Sequence, residues 1–171
     1  MLDSALPEDM EIVAQGSIDY NGRTIAYVVS KMGNSYFLEI SFVNGSKQDD
    51  KEKKIEFKFE QKEDGKFYLN SKEAPFFHDI FIEKIGTEIA MVLNAKDKEE
   101  VTRLTVCLDR TKFVVMGREI QSSAITLNGN KTDINFNSLS KQLNRNEKSK
   151  IDTMASRLFK SIEIQISGRT R

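Results

Sequence analysis

Apolar residues recur at every second position along most of this chain, in short runs separated by polar turns. The pattern is clearest at 36–42, 55–59, 89–93 and 104–108. A strand sends successive side chains to opposite faces of a sheet, so this period predicts strands with one face in a core and the other toward solvent. Asn-Gly and Asp-Gly pairs between the runs suit tight hairpin turns. We therefore expect a mainly β fold, an antiparallel barrel or sandwich of roughly eight to eleven hairpin-linked strands.

The period changes near the C-terminus. Four apolar residues there have the spacing of one helical face: Ile151, Met154, Ala155 and Leu158. Ser149 followed by Asp152 has the pattern of a capping box, in which a hydroxyl and a carboxylate satisfy the first N–H groups of a helix. We predict an amphipathic helix at about 149–160. Alternation then returns, and predicts a final strand at about 161–167.

Two other segments shape the predicted organisation. Residues 75–85 (PFFHDIFIEKI) fit either a short helix beginning at Pro75 or a strand rich in aromatic and β-branched residues. The spacing of the apolar residues favours the helix or an irregular crossover. Residues 1–9 predict a flexible tail, and residues 10–171 have a length that is usual for one domain, here a single β-rich domain.

Charge is balanced overall but unevenly distributed, with 26 basic and 26 acidic side chains among 171 residues. Residues 1–100 hold 13 Lys and Arg against 20 Asp and Glu, whereas residues 101–171 hold 13 against 6. Lys150, Arg157 and Lys160 lie opposite the apolar stripe of the predicted helix, so they are candidate contacts to an acidic partner protein. Nucleic acid is a poorer fit, because the basic segment contains few aromatic residues and the whole chain is neutral.

Catalytic chemistry has little support in the sequence. His78 beside Asp79 could act as a general base only with a nucleophile and an oxyanion site, and neither is visible. Cys107 alternates with core-facing neighbours and is expected to be an unreactive thiol on a second packed face. The usual zinc sites need three or four Cys and His ligands, and the chain has one of each. No catalytic residue, metal or cofactor is predicted.

Three classes of function remain. The first expectation is a non-enzymatic interaction or accessory module that presents a sheet face or strand edge to a partner protein. The alternative is a barrel that binds a small apolar ligand, with Phe76, Phe77 and Phe81 as lining or lid residues. The second alternative is an enzyme with a carboxylate-based site, since a glycosidase needs only two carboxylates.

The sequence also carries expectations about location. No apolar run approaches the roughly 18 residues of a membrane span, and the N-terminus is acidic, unlike a signal peptide. A single cysteine cannot form an internal disulfide, which favours a reducing compartment. A cytoplasmic protein is expected, although a mature periplasmic or secreted form would have the same features.

Overall fold

The structure, a computed structural model, describes residues 9–43, 54–97, 100–109, 112–121, 127–128, 131–136 and 140–169. Within these ranges the chain forms one sheet of twelve strands and one long helix, α1 (Arg145–Arg169). Short 3-10 turns occur at Ser71–Glu73 and Ser140–Gln142. The strands are β1 (Glu11–Tyr20), β2 (Arg23–Met32), β3 (Ser35–Val43), β4 (Lys54–Gln61), β5 (Phe67–Leu69), β6 (Asp79–Ile85), β7 (Glu88–Asp97), β8 (Glu100–Cys107), β9 (Lys112–Val115), β10 (Arg118–Gln121), β11 (Leu127–Asn128) and β12 (Lys131–Asn135).

Most strands lie next to the strand that precedes them in the chain. The order across the sheet is β10-β9-β8-β7-β6-β5-β4-β3-β2-β1-β12-β11. Asn21 and Gly22, between β1 and β2, both have positive φ (51° and 76°), which is the geometry of a two-residue hairpin turn. Every neighbouring pair is antiparallel except β1 and β12, which run parallel with Gly16 opposite Thr132. The predicted mainly antiparallel β fold is confirmed.

The sheet is curled into a half-barrel. A flat sheet of this many strands would hold its edges about 50 Å apart, at roughly 4.8 Å per spacing. The chain between the end of β10 and the start of β11 can span only about 20 Å. Phe113 of β9 and Phe136, just after β12, are in contact, with ring centroids 5.4 Å apart. A β-sandwich consists of two sheets packed face to face, whereas this chain forms a single curled sheet. Of the two predicted architectures, the structure is therefore nearer to the barrel.

Helix α1 packs its apolar side against the concave face of the half-barrel. The buried helical residues belong to the same core as the inward side chains of the strands: Ile151, Met154, Ala155, Leu158, Phe159, Ile162 and Ile166. Near the start of α1, Arg118 of β10 donates to Glu147 at 2.7 Å. Near its end, Arg23 of β2 donates to Glu163 at 2.7 Å. The helix is therefore fixed to strands from two sides of the sheet.

One predicted element was wrong, and one open alternative is decided by the structure. Residues 161–167 are not a strand but the last turns of α1. Ile162 and Ile166 follow Leu158 at four-residue intervals and are buried, whereas Ile164 is 44% exposed, so the isoleucines extend the helical stripe. Of the alternatives for residues 75–85, the strand is present at 79–85 as β6, residues 75–78 are irregular, and the short helix that the spacing favoured is not formed. The predicted tail at 1–9 lies outside the described residues except for Asp9.

The helix also begins one turn earlier than predicted. Asn144 accepts a hydrogen bond from the backbone N–H of Glu147 at 2.8 Å, and Glu147 accepts one from the N–H of Asn144 at 3.1 Å. This reciprocal pair is a capping box in which asparagine takes the place of serine or threonine. Arg118 donates to both carboxylate oxygens of Glu147, so the cap is held to β10.

We expect Glu147 to make stability sensitive to acid. The Arg118 guanidinium, with help from the Asn144 N–H, lowers the pKa of Glu147 from 4.5 to about 2. The ionised carboxylate therefore stabilises the fold above pH 4.5, and this contribution is lost as the pH falls through about 2. The free energies of unfolding of wild type and Glu147→Gln, measured by urea titration, should differ most near neutral pH. They should become equal as the pH falls from 4.5 to about 2. A difference that does not change with pH would contradict this role.

Candidate functional site

The solvent side of α1 and the turn before it is rich in cations. We term this surface the basic helix face, formed by Lys141, Arg145, Lys150, Arg157 and Lys160. Among the described residues of α1, the exposed acidic side chains are Asp152 and Glu163. Glu163 is already paired with Arg23 at 2.7 Å. The face therefore carries a strong excess of positive charge.

The three cations that the sequence singled out all lie on this face. Lys160 is exposed, and its ammonium group is 5.1 Å from the centre of the Phe76 ring. Lys150 and Arg157 are half-buried, and each interacts with another residue. Arg145 is exposed and joins the face because the helix begins before Ser149.

The three aromatic residues proposed to line a ligand cavity are not brought together. Phe77 is buried in the core, and Phe76 packs against that core from its margin. Phe81 alternates with Ile80 and Ile82, which belong to the core, so its ring lies on the convex face of the sheet.

The convex face carries a second packed cluster around Phe81. The strand register places Tyr68, Phe81 and Val92 side by side across β5, β6 and β7. Phe81 is only 2% exposed, although it points away from the core. Its ring contacts that of Tyr68, with centroids 5.1 Å apart. Cys107 of β8 is also buried outside the core cluster, which agrees with its predicted place on a second packed face.

Three cations lie over these two rings. Lys62 is 4.7 Å from the centre of Tyr68, while Lys66 and Arg103 are 4.9 and 5.9 Å from the centre of Phe81. Cations are attracted to the negative face of an aromatic ring, which orders their side chains. We term these five residues the cation–aromatic patch.

A line of hydrogen bonds fixes Arg103 in this patch. Its Nε donates to Oδ1 of Asn94 at 2.9 Å, and Nδ2 of Asn94 donates to Oδ1 of Asp79 at 2.7 Å. The three residues are directly opposite one another on β8, β7 and β6. Asn94 is 4% exposed, and a buried amide is tolerated only when its polar atoms are paired. The network therefore sets the position of the guanidinium.

An open groove of about 700 Å³ lies beside this network, where the short strand β5 ends. Glu60, Tyr68, Ser71, His78 and Asp79 are among its lining residues. His78 is exposed, and its Nε2 is 3.9 Å from Oδ2 of Asp79, beyond hydrogen-bond distance. The described residues include no group of three His, Cys, Asp or Glu side chains placed to hold a metal ion. The lining can form polar contacts with a ligand.

Cys107 should react slowly with thiol reagents in the native protein. It is buried on the convex face, and burial, together with the Glu88 carboxylate, raises the pKa of the thiol to about 12. The reactive thiolate is therefore scarce at neutral pH. Ellman's reagent should modify the urea-unfolded chain rapidly and the native chain slowly, and Cys107→Ser serves as the blank. Equal rates in the two states would show that the thiol is accessible.

Sequence reasoning missed the role of Asn94, Arg103 and Tyr68. One signal was present: Asn94 interrupts the apolar run MVLNA at 91–95. A polar residue inside a strand that is buried on both faces requires a partner, which marks the position as informative. The partners themselves depend on the register of three strands, which is not readable from local patterns.

The described part of the chain contains no helix with the length and apolar character needed to cross a membrane. Comparison of the chain with protein-family models, with curated proteins and with solved structures finds no match.

Proposed function

We propose that the protein is a non-enzymatic interaction module that docks an acidic segment of a partner protein on the basic helix face. The observation that supports this proposal is the charge of that face: five cations, of which Lys150 and Arg157 also interact with other residues, against two exposed carboxylates, one of which is paired with Arg23. Clustered charge of one sign attracts a partner of the opposite sign and orients it during encounter.

The attachment of α1 to the sheet makes this surface suitable for docking. The apolar side of the helix is buried, and Arg118 and Arg23 hold it near both ends. The positions of the cations along the helix axis are therefore set before a partner arrives, which lowers the entropy lost on binding.

An exposed apolar side chain adds a second element of recognition. Ile164 is 44% exposed and follows Lys160 by one helical turn. Apolar side chains next to charges commonly supply the short-range part of an interface. The segment that fits best is therefore acidic and carries an apolar residue near the end that faces Ile164.

The small-ligand alternative has less support. The concave face, where a barrel would hold an apolar ligand, is packed against α1, and Phe77 is part of that packing. Phe81 lies on the opposite side of the sheet from Phe77, so these rings cannot line one cavity.

The test uses a charge reversal on three exposed cations of the face. Lys141→Glu, Arg145→Glu and Lys160→Glu together should weaken binding of a fluorescein-labelled, glutamate-rich peptide with one leucine near one end by about tenfold or more. Raising NaCl from about 50 to 300 mM should weaken binding to the wild-type protein, because exposed charges are screened. Fluorescence anisotropy gives both affinities.

A matched charge reversal at exposed lysines outside the basic helix face tests whether binding depends on the location of the cations or only on the net charge of the protein. Lys58→Glu, Lys72→Glu and Lys84→Glu change the total charge equally, on exposed positions of the sheet and its turns. This control should bind the peptide nearly as well as wild type, and both variants should unfold within about 1 kcal/mol of it. Equal weakening by the two variants, or no binding by wild type, would reject the proposal.

A further inference from the structure

We infer that the cation–aromatic patch on the convex face binds a phosphate monoester group, with Arg103 and Lys66 as its two ligands. This site lies on strands β5 to β8 and the turn before β5, away from the basic helix face. It goes beyond the proposed function and does not depend on it.

The Arg103 guanidinium is held in one orientation before any ligand binds. Its Nε is held by Asn94 and its guanidinium lies over Phe81, so the orientation of the group is set from two directions. Among the described residues Arg103 forms no ion pair, and its Nη groups donate no hydrogen bond to them. A guanidinium presents a planar fork of N–H donors that matches two oxygens of a phosphate or carboxylate.

Lys66 brings a second positive charge to the same aromatic ring. Nζ of Lys66 and Cζ of Arg103 lie 4.9 and 5.9 Å from the same ring centre. Like charges repel, and this arrangement is relieved when an anion lies between or above them. Two positive charges match a doubly charged phosphate monoester better than a singly charged carboxylate.

The neighbouring acidic groups form no ion pair with the two cations among the described residues, although the Asp64 carboxylate is near enough to attract the Lys66 charge. Asp64 accepts from the Tyr68 hydroxyl at 2.7 Å and from the backbone N–H of Lys66 at 2.9 Å. Asp79 accepts from Asn94 at 2.7 Å. Glu60 and Glu83 are the other acids on adjoining strand positions, and in the described structure neither lies within ion-pair distance of Arg103 or Lys66. The carboxylates of Asp64 and Asp79 therefore accept from donors other than the Lys66 ammonium and the Arg103 guanidinium, and these two cations keep donors available.

The site is exposed, so a single phosphate group should bind weakly, with a dissociation constant on the order of millimolar. NMR titration suits this range, because the backbone and Arg Nε–Hε signals report binding at each residue. Inorganic phosphate should shift the Arg103 side-chain signal and the Lys66 amide along saturable curves. Acetate, as the singly charged comparison, should bind at least fivefold more weakly.

Variants then locate the site. Arg103→Lys should weaken phosphate binding about fivefold or more, because lysine keeps the charge and loses the fork. Lys66→Met should weaken it to a similar degree, and Lys84→Ala, an exposed lysine outside the patch, should leave it within twofold of wild type. If Arg103→Lys perturbs the fold, seen as backbone shifts throughout the sheet, Lys66→Met carries the test alone.

A final comparison of ligands identifies the molecule that supplies the phosphate group. A short peptide with one phosphoserine is compared with inorganic phosphate and with the unphosphorylated peptide. Tighter binding of the phosphopeptide than of inorganic phosphate assigns the site to a phosphorylated protein, and equal binding assigns it to free phosphate. Either result supports recognition of a phosphate group by Arg103 and Lys66. Unchanged binding in Lys66→Met, or acetate binding as tightly as phosphate, would overturn the inference.

Discussion

Gly16→Ala is expected to lower the free energy of unfolding by about 3 kcal/mol or more. A Cβ atom at this position would lie 1.9 Å from the carbonyl oxygen of Thr132 and 2.8 Å from its carbon. It would also lie 2.9 Å from the hydroxyl of Tyr27, which is itself held by the carbonyl of Leu108. Because the main clash is with backbone, no rotamer change relieves it, and β1 must separate from β12.

Urea denaturation of the purified variants measures this effect. Gly33→Ala is the matched control, since it also adds one methyl group and has no atom within 4 Å of the new Cβ. Its φ of 60° carries only the strain of a left-handed backbone, about 1 kcal/mol. If the two variants lose the same stability, the close approach of β1 and β12 at Gly16 is wrong.

Leu158→Ala is expected to cost about 2–5 kcal/mol, the second largest effect. Leu158 is buried in the core on the side of α1 that faces the sheet. Truncating it removes apolar contact and leaves a cavity, because the helix is held by ion pairs near both ends and cannot move inward freely. Urea denaturation monitored by circular dichroism gives the change.

Ser156→Ala provides the comparison within the same helix. Ser156 is exposed, so its replacement should change stability by less than about 0.5 kcal/mol, and the higher helix propensity of alanine should make the change slightly favourable. A large loss from Ser156→Ala together with a silent Leu158→Ala would mean that the helix is rotated relative to the sheet.

Much of the fold was predictable because the strands are local. Alternating runs joined by short turns specify antiparallel neighbours, and this reasoning holds for β1 to β4, β7 and β8. It failed at 161–167, where isoleucines at every second position fit a strand and a helix equally well. The segment is helical because Ile162 and Ile166 follow Leu158 at four-residue intervals and so extend the apolar stripe of α1.

The helix start was missed for a different reason. The pattern Ser149-x-x-Asp152 matched a capping box, but Asn144-x-x-Glu147 matches one as well, and Glu147 has a partner on β10. Only the folded sheet brings Arg118 to that carboxylate. The sequence alone therefore cannot show which of the two capping patterns begins the helix, because the contact that favours Asn144 and Glu147 comes from a distant strand.

The candidate surfaces were predictable to unequal degrees. The basic helix face follows from residue types on one helix, so Lys150, Arg157 and Lys160 could be identified from spacing. The cation–aromatic patch depends on Asp79, Asn94 and Arg103 meeting across three strands. That meeting is set by hairpin register, and a shift of one residue would turn all three side chains to the other face.

The parallel pairing of β1 with β12 dictates the order in which the protein can assemble. Strands β1 to β10 can form by successive local hairpins, but β1 meets its second neighbour only through contacts such as Ser17 to Asp133, 116 residues apart. Closing so long a loop is slow, and a ribosome releases β12 after nearly the whole sheet has been made. Until then β1 is an uncovered edge that another chain can pair with. We therefore expect the docking of β12 to be a late step of folding, and crowding of nascent chains before that step should favour aggregation.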